Sequence, residues 1–155
     1  MKNADWIIKN CYLLTMNEQY DQFNPGAVAV SGDSVAEAGD EQSVLSRYQS
    51  DNILDCCGKV VMPGFVNTHT HVPMTVLRGL SDDLRLDVWL LGYMMPVERE
   101  FVTGEFVELG TKLACIELLH SGVTCFCDMY YYEEVVGKTA AQIGLRTVCS
   151  QTVMK

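Results

Sequence analysis

The sequence has few basic residues: 11 lysines and arginines stand against 20 aspartates and glutamates, for a formal net charge of −9. Proteins that bind nucleic acid or anionic membranes gain their affinity from clustered lysine and arginine side chains. This shortage therefore argues against both kinds of partner. The chain also lacks any uncharged run of about 18 apolar residues, so the sequence predicts no transmembrane helix.

The chain does not open with the basic and then apolar segment that directs secretion. Its seven cysteines are an odd number, which does not favour a framework of disulfides. Neither Cys56-Cys57 nor the pair Cys125 and Cys127 has the two-residue gap common in structural zinc knuckles. We therefore expect a protein of the reducing cytoplasm, in which these four cysteines are small buried apolar residues.

The 155 residues suffice for one domain, or for one domain with part of another, and a hydrophobic content of 48% is typical of a globular protein. The first third is rich in β signals. Residues 6–15 predict a strand, and residues 27–38 predict a hairpin around Ser31-Gly32-Asp33. A short helix over residues 41–49 and two short β runs within residues 53–62 complete this part.

Beyond Pro63-Gly64, strands alternate with helices. The predicted order is a strand at 65–67, a helix at 103–121 ending before Gly122, a strand at 123–129, a helix at 133–144 and a strand at 145–153. The first helix carries an apolar stripe formed by Phe106, Leu109, Leu113, Ile116 and either Leu119 or His120. This alternation is typical of parallel β/α units in a barrel or an open sheet.

Two histidines follow the strand at residues 65–67. Residues two apart in an extended chain point to the same side, so the imidazoles of His69 and His71 can contact one ion. In a barrel, the C-terminal end of a strand faces the catalytic cleft, and imidazole favours zinc or iron among common divalent ions. A His-x-His pair alone is more often incidental, so the surrounding sequence decides its interpretation.

The surrounding sequence is Val61-Met62-Pro63-Gly64-Phe65-Val66-Asn67-Thr68-His69-Thr70-His71. It closely resembles the first barrel strand of the amidohydrolase superfamily, where Pro-Gly leads into the strand and His-x-His supplies two metal ligands. The resemblance continues through Pro73-Met74-Thr75, Leu77-Arg78-Gly79, Asp82-Asp83-Leu84, Trp89-Leu90, Pro96, Glu98, Gly122-Val123-Thr124 and Asp128-Met129-Tyr130. It is similar to the branch that contains methylthioadenosine and S-adenosylhomocysteine deaminases and chlorohydrolase-type relatives.

The resemblance implies an α/β fold. Residues 1–60 are expected to form part of an N-terminal β-sandwich, and residues 61–155 the first strands and helices of a (β/α)8 metal-dependent hydrolase barrel. Such a barrel takes about 250 residues, so we expect an incomplete N-terminal portion that is inactive alone and associates into a homo-oligomer. The resemblance places the remaining metal ligands and the acid-base residues on later strands, and no catalytic residue within this chain.

The resemblance also implies a hydrolytic deaminase of adenosine-type nucleosides: methylthioadenosine, S-adenosylhomocysteine or adenosine. One divalent ion, zinc in preference to iron, would be bound by His69 and His71. In the deaminases that the sequence resembles, the position of Trp89 lines the nucleoside pocket and that of Glu98 binds the ribose hydroxyls, a task suited to a carboxylate. Gln151 stands near the place of an arginine that engages S-adenosylhomocysteine in some relatives, which argues against a substrate with a carboxylate.

Each of these interpretations has an alternative. Trp89 is also consistent with an ordinary core aromatic residue, and Glu98 with a solvated helix face. Arg78 is predicted to pair with Asp82 or Asp83, Asp128 is predicted to be structural, and His120 has no assigned role. A related hydrolase acting on guanine, cytosine or a chlorotriazine is one competing function. A non-catalytic, self-associating β/α module with structural histidines is the other.

Overall fold

The computed structural model describes residues 1–153 and contains two compact units, one of residues 1–63 and a second that begins at Gly64. The first unit is mostly β-structure, and the second alternates strands with helices. Within the described residues, no helix combines the length and the apolar character needed to cross a membrane. The chain is therefore of the mixed α/β kind that the sequence predicts.

The strands of the first unit are β1 (Lys2–Asn3), β2 (Trp6–Leu14), β3 (Gln22–Ser31), β4 (Ser34–Asp40), β5 (Tyr48–Gln49), β6 (Ile53–Asp55) and β7 (Val60–Val61). The order β4-β3-β2-β6 forms one sheet, with β7 also beside β2, and β1 pairs with β5 separately. The predicted hairpin is confirmed, since β3 and β4 are antiparallel. Helix α1 (Glu41–Arg47) begins after Asp40, whose side chain accepts a hydrogen bond from the Ser43 amide.

Both faces of this sheet are packed. Successive residues of a strand point to opposite faces, and Ala27 and Ala29 accordingly pack with Ile7 and Val44, while Val28 packs in a second apolar cluster. The second cluster includes the buried Cys56, so the prediction for that residue is confirmed. The prediction that Cys57 is buried is wrong, because this residue lies exposed in the turn after β6 with a positive φ of 51°.

The second unit is built on the parallel strands β8 (Phe65–Thr70), β9 (Val123–Tyr130) and β10 (Arg146–Gln151), in the order β10-β9-β8. Its helices are α2 (Met95–Phe101), α3 (Gly104–His120) and α4 (Glu133–Ile143), with a 3₁₀ helix at Val72–Leu77 and a π-helix at Val88–Met94. Buried apolar residues of β9, α3 and α4 share one core around Phe126. Cys125 and Cys127 on β9 are half-buried.

The pairing of β8 with β9 contains two irregularities of opposite sense. Phe65 and Val66 pair with Val123 and Cys125, so β9 carries one extra residue there. Nearer the other end, Asn67 and Thr70 pair with Phe126 and Asp128, so the extra residue lies on β8. The register shifts that the two β-bulges produce are equal and opposite, so Thr70 and Asp128 pair with the same offset as Phe65 and Val123.

Helix α3 is confirmed, but most of its predicted apolar stripe is exposed, and Phe106 of that stripe packs on the core. Leu109, for example, is 62% exposed, and Leu113, Ile116 and Leu119 are also exposed. The buried face consists instead of Val107, Gly110, Thr111, Ala114 and Cys115. These small residues allow the helix to approach the chain just after β8, since a Cβ built on Gly110 would lie only 2.4 Å from the Pro73 carbonyl oxygen. The predicted stop is confirmed, because Gly122 has a φ of +77°.

Candidate functional site

The carboxyl ends of the three parallel strands meet at one edge of the second unit, and polar side chains gather there. A cavity of about 240 Å³ opens at this edge. Its lining comes from β8 and the residue after it, from the end of β9 and from β10: Thr68, His69, Thr70, His71, Cys127, Asp128, Met129 and Ser150. Ligands of α/β proteins bind at this end of parallel strands, so the cavity is the candidate site.

The rings of His69 and His71 lie side by side, with centroids 5.1 Å apart and ring planes at 76°. Both line the same cavity, as the sequence predicts from their spacing of two residues at the end of an extended segment. Two imidazoles bound to one tetrahedral zinc ion at Zn–N distances of about 2.0 Å have ring centres roughly 5 Å apart. The separation of the two rings therefore fits a shared divalent ion.

The protonation of the His71 ring follows from its hydrogen bond. Its Nδ1 lies 2.6 Å from the Met129 carbonyl oxygen on β9. A carbonyl oxygen only accepts, so Nδ1 carries the proton and donates it. In the neutral ring the Nε2 atom then holds a lone pair, and metal-binding histidines commonly have their other nitrogen anchored in this way.

His69 and His71 are the histidines that line this cavity. Among residues 1–153, no group of three or more histidine, cysteine, aspartate or glutamate side chains is arranged to hold a metal ion. A catalytic zinc site usually takes three protein ligands, of which the pair accounts for two. The role of His69 and His71 as metal ligands remains a prediction.

Asp128 lies at the same edge and is almost fully buried, with 2% of its surface exposed. Its Oδ1 accepts hydrogen bonds from the Thr70 hydroxyl at 2.5 Å and from the Val72 amide at 2.7 Å. Its Oδ2 is buried as well. Asp128, which the sequence analysis predicts to be structural, therefore contacts the residue before His71 and the residue after it.

Glu133, the first residue of α4, is a buried carboxyl group that the sequence analysis missed. It is 3% exposed and lies within hydrogen-bonding reach of the Asp128 carboxyl group. Burial, reinforced by the Asp128 carboxylate, raises the pKa of Glu133 to about 7. A glutamate in the first turn of a helix is ordinary, so no local signal distinguishes this one.

The raised pKa of Glu133 predicts that stability falls with pH. The folded state keeps this proton up to about pH 7, whereas the unfolded chain releases it near the ordinary value of 4.5. The folded state thus binds more protons in that window, and stabilisation present below pH 4.5 is lost as the pH rises through 7. We expect the free energy of unfolding to drop by on the order of 1–3 kcal/mol between pH 5 and pH 8 from this group.

The variant Glu133→Gln should lose most of that dependence, because its neutral amide resembles the protonated acid. Urea unfolding at the two pH values measures the effect. The matched control is Glu134→Gln, which changes an exposed neighbour on the same helix and should retain the parent's pH dependence. An unchanged pH dependence in Glu133→Gln would contradict the assignment.

The two predicted substrate-binding residues lie in different cavities. Trp89 is half-buried and lines a cavity of about 400 Å³ together with His71. Glu98 is also half-buried and lines a cavity of about 410 Å³ that includes Gln151. The structure therefore places Trp89, but not Glu98, in a cavity that His71 also lines. The roles of both residues remain predictions.

Glu98 does not lie on a freely solvated helix face. Its Oε1 accepts a hydrogen bond of 2.8 Å from the Tyr130 hydroxyl at the end of β9. Burial, together with the Glu98 carboxylate, raises the pKa of Tyr130, so this hydroxyl stays protonated and donates. The hydrogen bond fixes one end of the carboxylate beside the cavity.

The predicted pairing of Arg78 with Asp82 or Asp83 is wrong. Arg78 instead forms two parallel hydrogen bonds with Glu117 of α3, from Nη1 at 3.0 Å and from Nη2 at 2.7 Å. The reason is packing: Arg78 directly follows the 3₁₀ helix, which lies against α3. Because both side chains are exposed, the pair contributes little to stability.

Comparison with known proteins gives a family match over the second unit. The model of the Amidohydrolase family matches residues 60–155. A 5-methylthioadenosine/S-adenosylhomocysteine deaminase of Syntrophus aciditrophicus is 39% identical over 153 residues, which are 99% of this chain and 34% of that protein. A 5'-deoxyadenosine deaminase of Methanococcoides burtonii is 44% identical over 147 residues, which are 95% of this chain and 33% of that protein.

A solved structure shares the fold. An adenosine deaminase from Xanthomonas campestris with bound zinc superposes with a TM-score of 0.89 at 34% identity, covering 94% of this chain and 33% of that one. The chain thus spans about a third of the length of the relatives that it matches. Because these matches cover 94% to 99% of this chain, the similarity includes both compact units.

Proposed function

Because the chain belongs to the amidohydrolase family, we propose that it is part of a metal-dependent hydrolytic deaminase of adenosine-type nucleosides. The observation that carries the proposal is the pair of adjacent imidazoles, His69 and His71, at the carboxyl edge of a parallel sheet. Their ring separation of 5.1 Å suits one shared ion. The relatives named as deaminases of adenosine derivatives support the choice of reaction.

The similarity to the amidohydrolase family also supports a proposal for the complete fold. Strands β8, β9 and β10 with their connecting helices are proposed as the opening of a (β/α)8 barrel covering residues 61–155, and residues 1–60 as part of a β-sandwich. Parallel strands joined through helices are the unit of such a barrel, which supports the assignment. The exposed leucines of α3 favour burial against another surface, so a homo-oligomer stays a prediction.

In the proposed site, His69 and His71 hold the ion, and zinc is favoured over iron. Two neutral imidazoles are donors that zinc accepts readily, and the relative of known structure carries zinc. When bound, such an ion supplies Lewis acidity that makes water a nucleophile at neutral pH. The Met129 carbonyl keeps the His71 ring oriented with its lone pair available. A further ligand and an acid-base carboxylate are proposed to come from strands other than β8 to β10.

Trp89 and Glu98 are proposed as substrate-binding residues. Trp89 offers an aromatic face in the cavity that it shares with His71, where an adenine ring could stack. Glu98, held at one oxygen by Tyr130, is proposed to accept hydrogen bonds from ribose hydroxyls. Its cavity is lined by Glu98 and Glu134 against one cation, Arg99, which disfavours a substrate that carries a carboxylate.

An ammonia-release assay with the full-length protein tests the proposal. Adenosine and methylthioadenosine should be turned over, with kcat/KM for S-adenosylhomocysteine at least about tenfold lower because of the charge around Glu98. Removal of metal by a chelator should abolish turnover, and added zinc should restore it. Turnover of guanine without turnover of any of the three adenosine derivatives would contradict the assignment.

A further inference from the structure

Asp128 holds the chain on both sides of His71. We infer that Asp128 is a positioning residue, which fixes His71 in the orientation that binds the metal. The inference rests on the proposed function, because it concerns the same histidine pair. The contacts that carry it are the hydrogen bonds to Oδ1 from the Thr70 hydroxyl, at 2.5 Å, and from the Val72 amide, at 2.7 Å.

A buried carboxylate is well suited to this task. One oxygen atom has two lone pairs, and here it accepts from the residue before His71 and from the residue after it. Hydrogen bonds to a charged acceptor are about twice as strong as those between neutral groups. The Thr70 hydroxyl has one proton and also lies 2.8 Å from the Cys127 carbonyl, so the charged oxygen is the stronger of its two acceptors.

Met129, the next residue of β9, fixes the ring of His71. Met129 follows Asp128, and its carbonyl oxygen accepts the proton of His71 Nδ1 at 2.6 Å. Asp128 fixes the backbone around His71, and Met129 then fixes the ring on that backbone. Without the Asp128 contacts, the Val72 amide would lose its hydrogen bond to β9, while Thr70 would keep its strand pairing and its contact with the Cys127 carbonyl. The backbone that carries His71 would then be held on one side only, and its ring would be less firmly placed against the Met129 carbonyl. The direction of the Nε2 lone pair thus depends on Asp128, although Asp128 itself need not contact the ion.

The second oxygen of Asp128 suggests how to test this role. The carboxyl group of Asp128 also lies within hydrogen-bonding reach of the Glu133 carboxyl group. In Asp128→Asn, the amide oxygen can still accept from Thr70 and Val72, and the amide nitrogen can donate to Glu133. In Asp128→Ala, both contacts around His71 are lost. The two variants therefore separate hydrogen bonding to the chain from the negative charge.

The experiment measures zinc affinity by competition with a chelator in the full-length protein, for the parent and for both variants. Asp128→Ala should bind zinc about tenfold to a hundredfold more weakly, the usual effect of losing a group that orients a ligand. Asp128→Asn should stay within about threefold of the parent. Equal affinities for the parent and Asp128→Ala would overturn the inference, as would an Asp128→Asn variant as weak as Asp128→Ala.

A second readout needs no metal. Nitrogen-15 NMR of the metal-free protein should show the His71 ring protonated at Nδ1 in the parent and in Asp128→Asn, and a mixture of tautomers in Asp128→Ala. If Asp128→Ala does not fold, Thr70→Val serves instead, because it removes one hydroxyl contact and should weaken zinc binding about threefold to tenfold. An unchanged His71 tautomer and zinc affinity in that variant would contradict the inference.

The outcomes also separate the two proposals. If the parent binds no zinc, or binds it equally well after His69 and His71 are both replaced, the proposed function fails. The NMR measurement still decides whether Asp128 orients His71. If the parent binds zinc through the histidines and Asp128→Ala matches it in both readouts, the proposed function stands and the positioning role fails.

Discussion

Replacing His69 and His71 together by alanine is expected to abolish stoichiometric zinc binding and to lower kcat/KM at least about a thousandfold. The reason lies in the geometry of the pair. The two rings have centroids 5.1 Å apart and line one cavity, so both donors are lost from the same place. A site that usually has three protein ligands cannot keep its ion with one.

Metal content of the purified full-length protein and ammonia release from adenosine measure this effect. His120→Ala is the matched control, because His120 is the third histidine of the chain and lies exposed at the end of α3. It should retain both the zinc and the activity. A double variant with the zinc content of the parent would show that the pair is structural, as the competing interpretation of the sequence holds.

Gly110→Ala is expected to destabilise the protein by about 2–4 kcal/mol, although alanine is the better helix former. Gly110 lies within α3, where alanine alone would stabilise by about 1 kcal/mol. Its Cβ, however, would lie 2.4 Å from the Pro73 carbonyl oxygen and 2.8 Å from the Pro73 Cα. Those atoms belong to the backbone and cannot rotate away, so the 3₁₀ helix after His71 must move.

Chemical unfolding measures the loss, and Gly104→Ala is the matched control. Gly104 is the first residue of the same helix, and a Cβ there would meet no atom within 4 Å. The control should be neutral or slightly more stable than the parent. Because the Pro73 backbone continues from the histidine pair, Gly110→Ala should also weaken zinc binding. Equal stability of the two variants would contradict the close packing described for α3.

The features that the sequence predicted well are those fixed by local periodicity. The side-by-side placement of His69 and His71 follows from the two-residue repeat of a strand, and the ends of α3 and α4 follow from glycines with positive φ. The family was predicted from the motif around His69 and His71, and the match of the Amidohydrolase family model to residues 60–155 confirms it.

The features that it missed depend on which elements become neighbours. Arg78 pairs with Glu117 because the 3₁₀ helix packs on α3, a contact between residues 39 positions apart. The closeness of Asp128 and Glu133 likewise depends on how α4 returns over the end of β9. The apolar stripe of α3 marked a helix correctly but not its buried side, because close packing at Gly110 selects the face with small residues.

The compensating bulges in β8 and β9 constrain how this part of the protein can change in length during evolution. Phe65 pairs with Val123 and Thr70 with Asp128, and the same offset brings His71 to Met129. A residue lost from β8 before His69 would turn the imidazoles to the opposite side of the sheet, and a residue lost from β9 would shift Met129 by one position relative to His71. We therefore expect insertions and deletions here to occur in matched pairs, one in each strand.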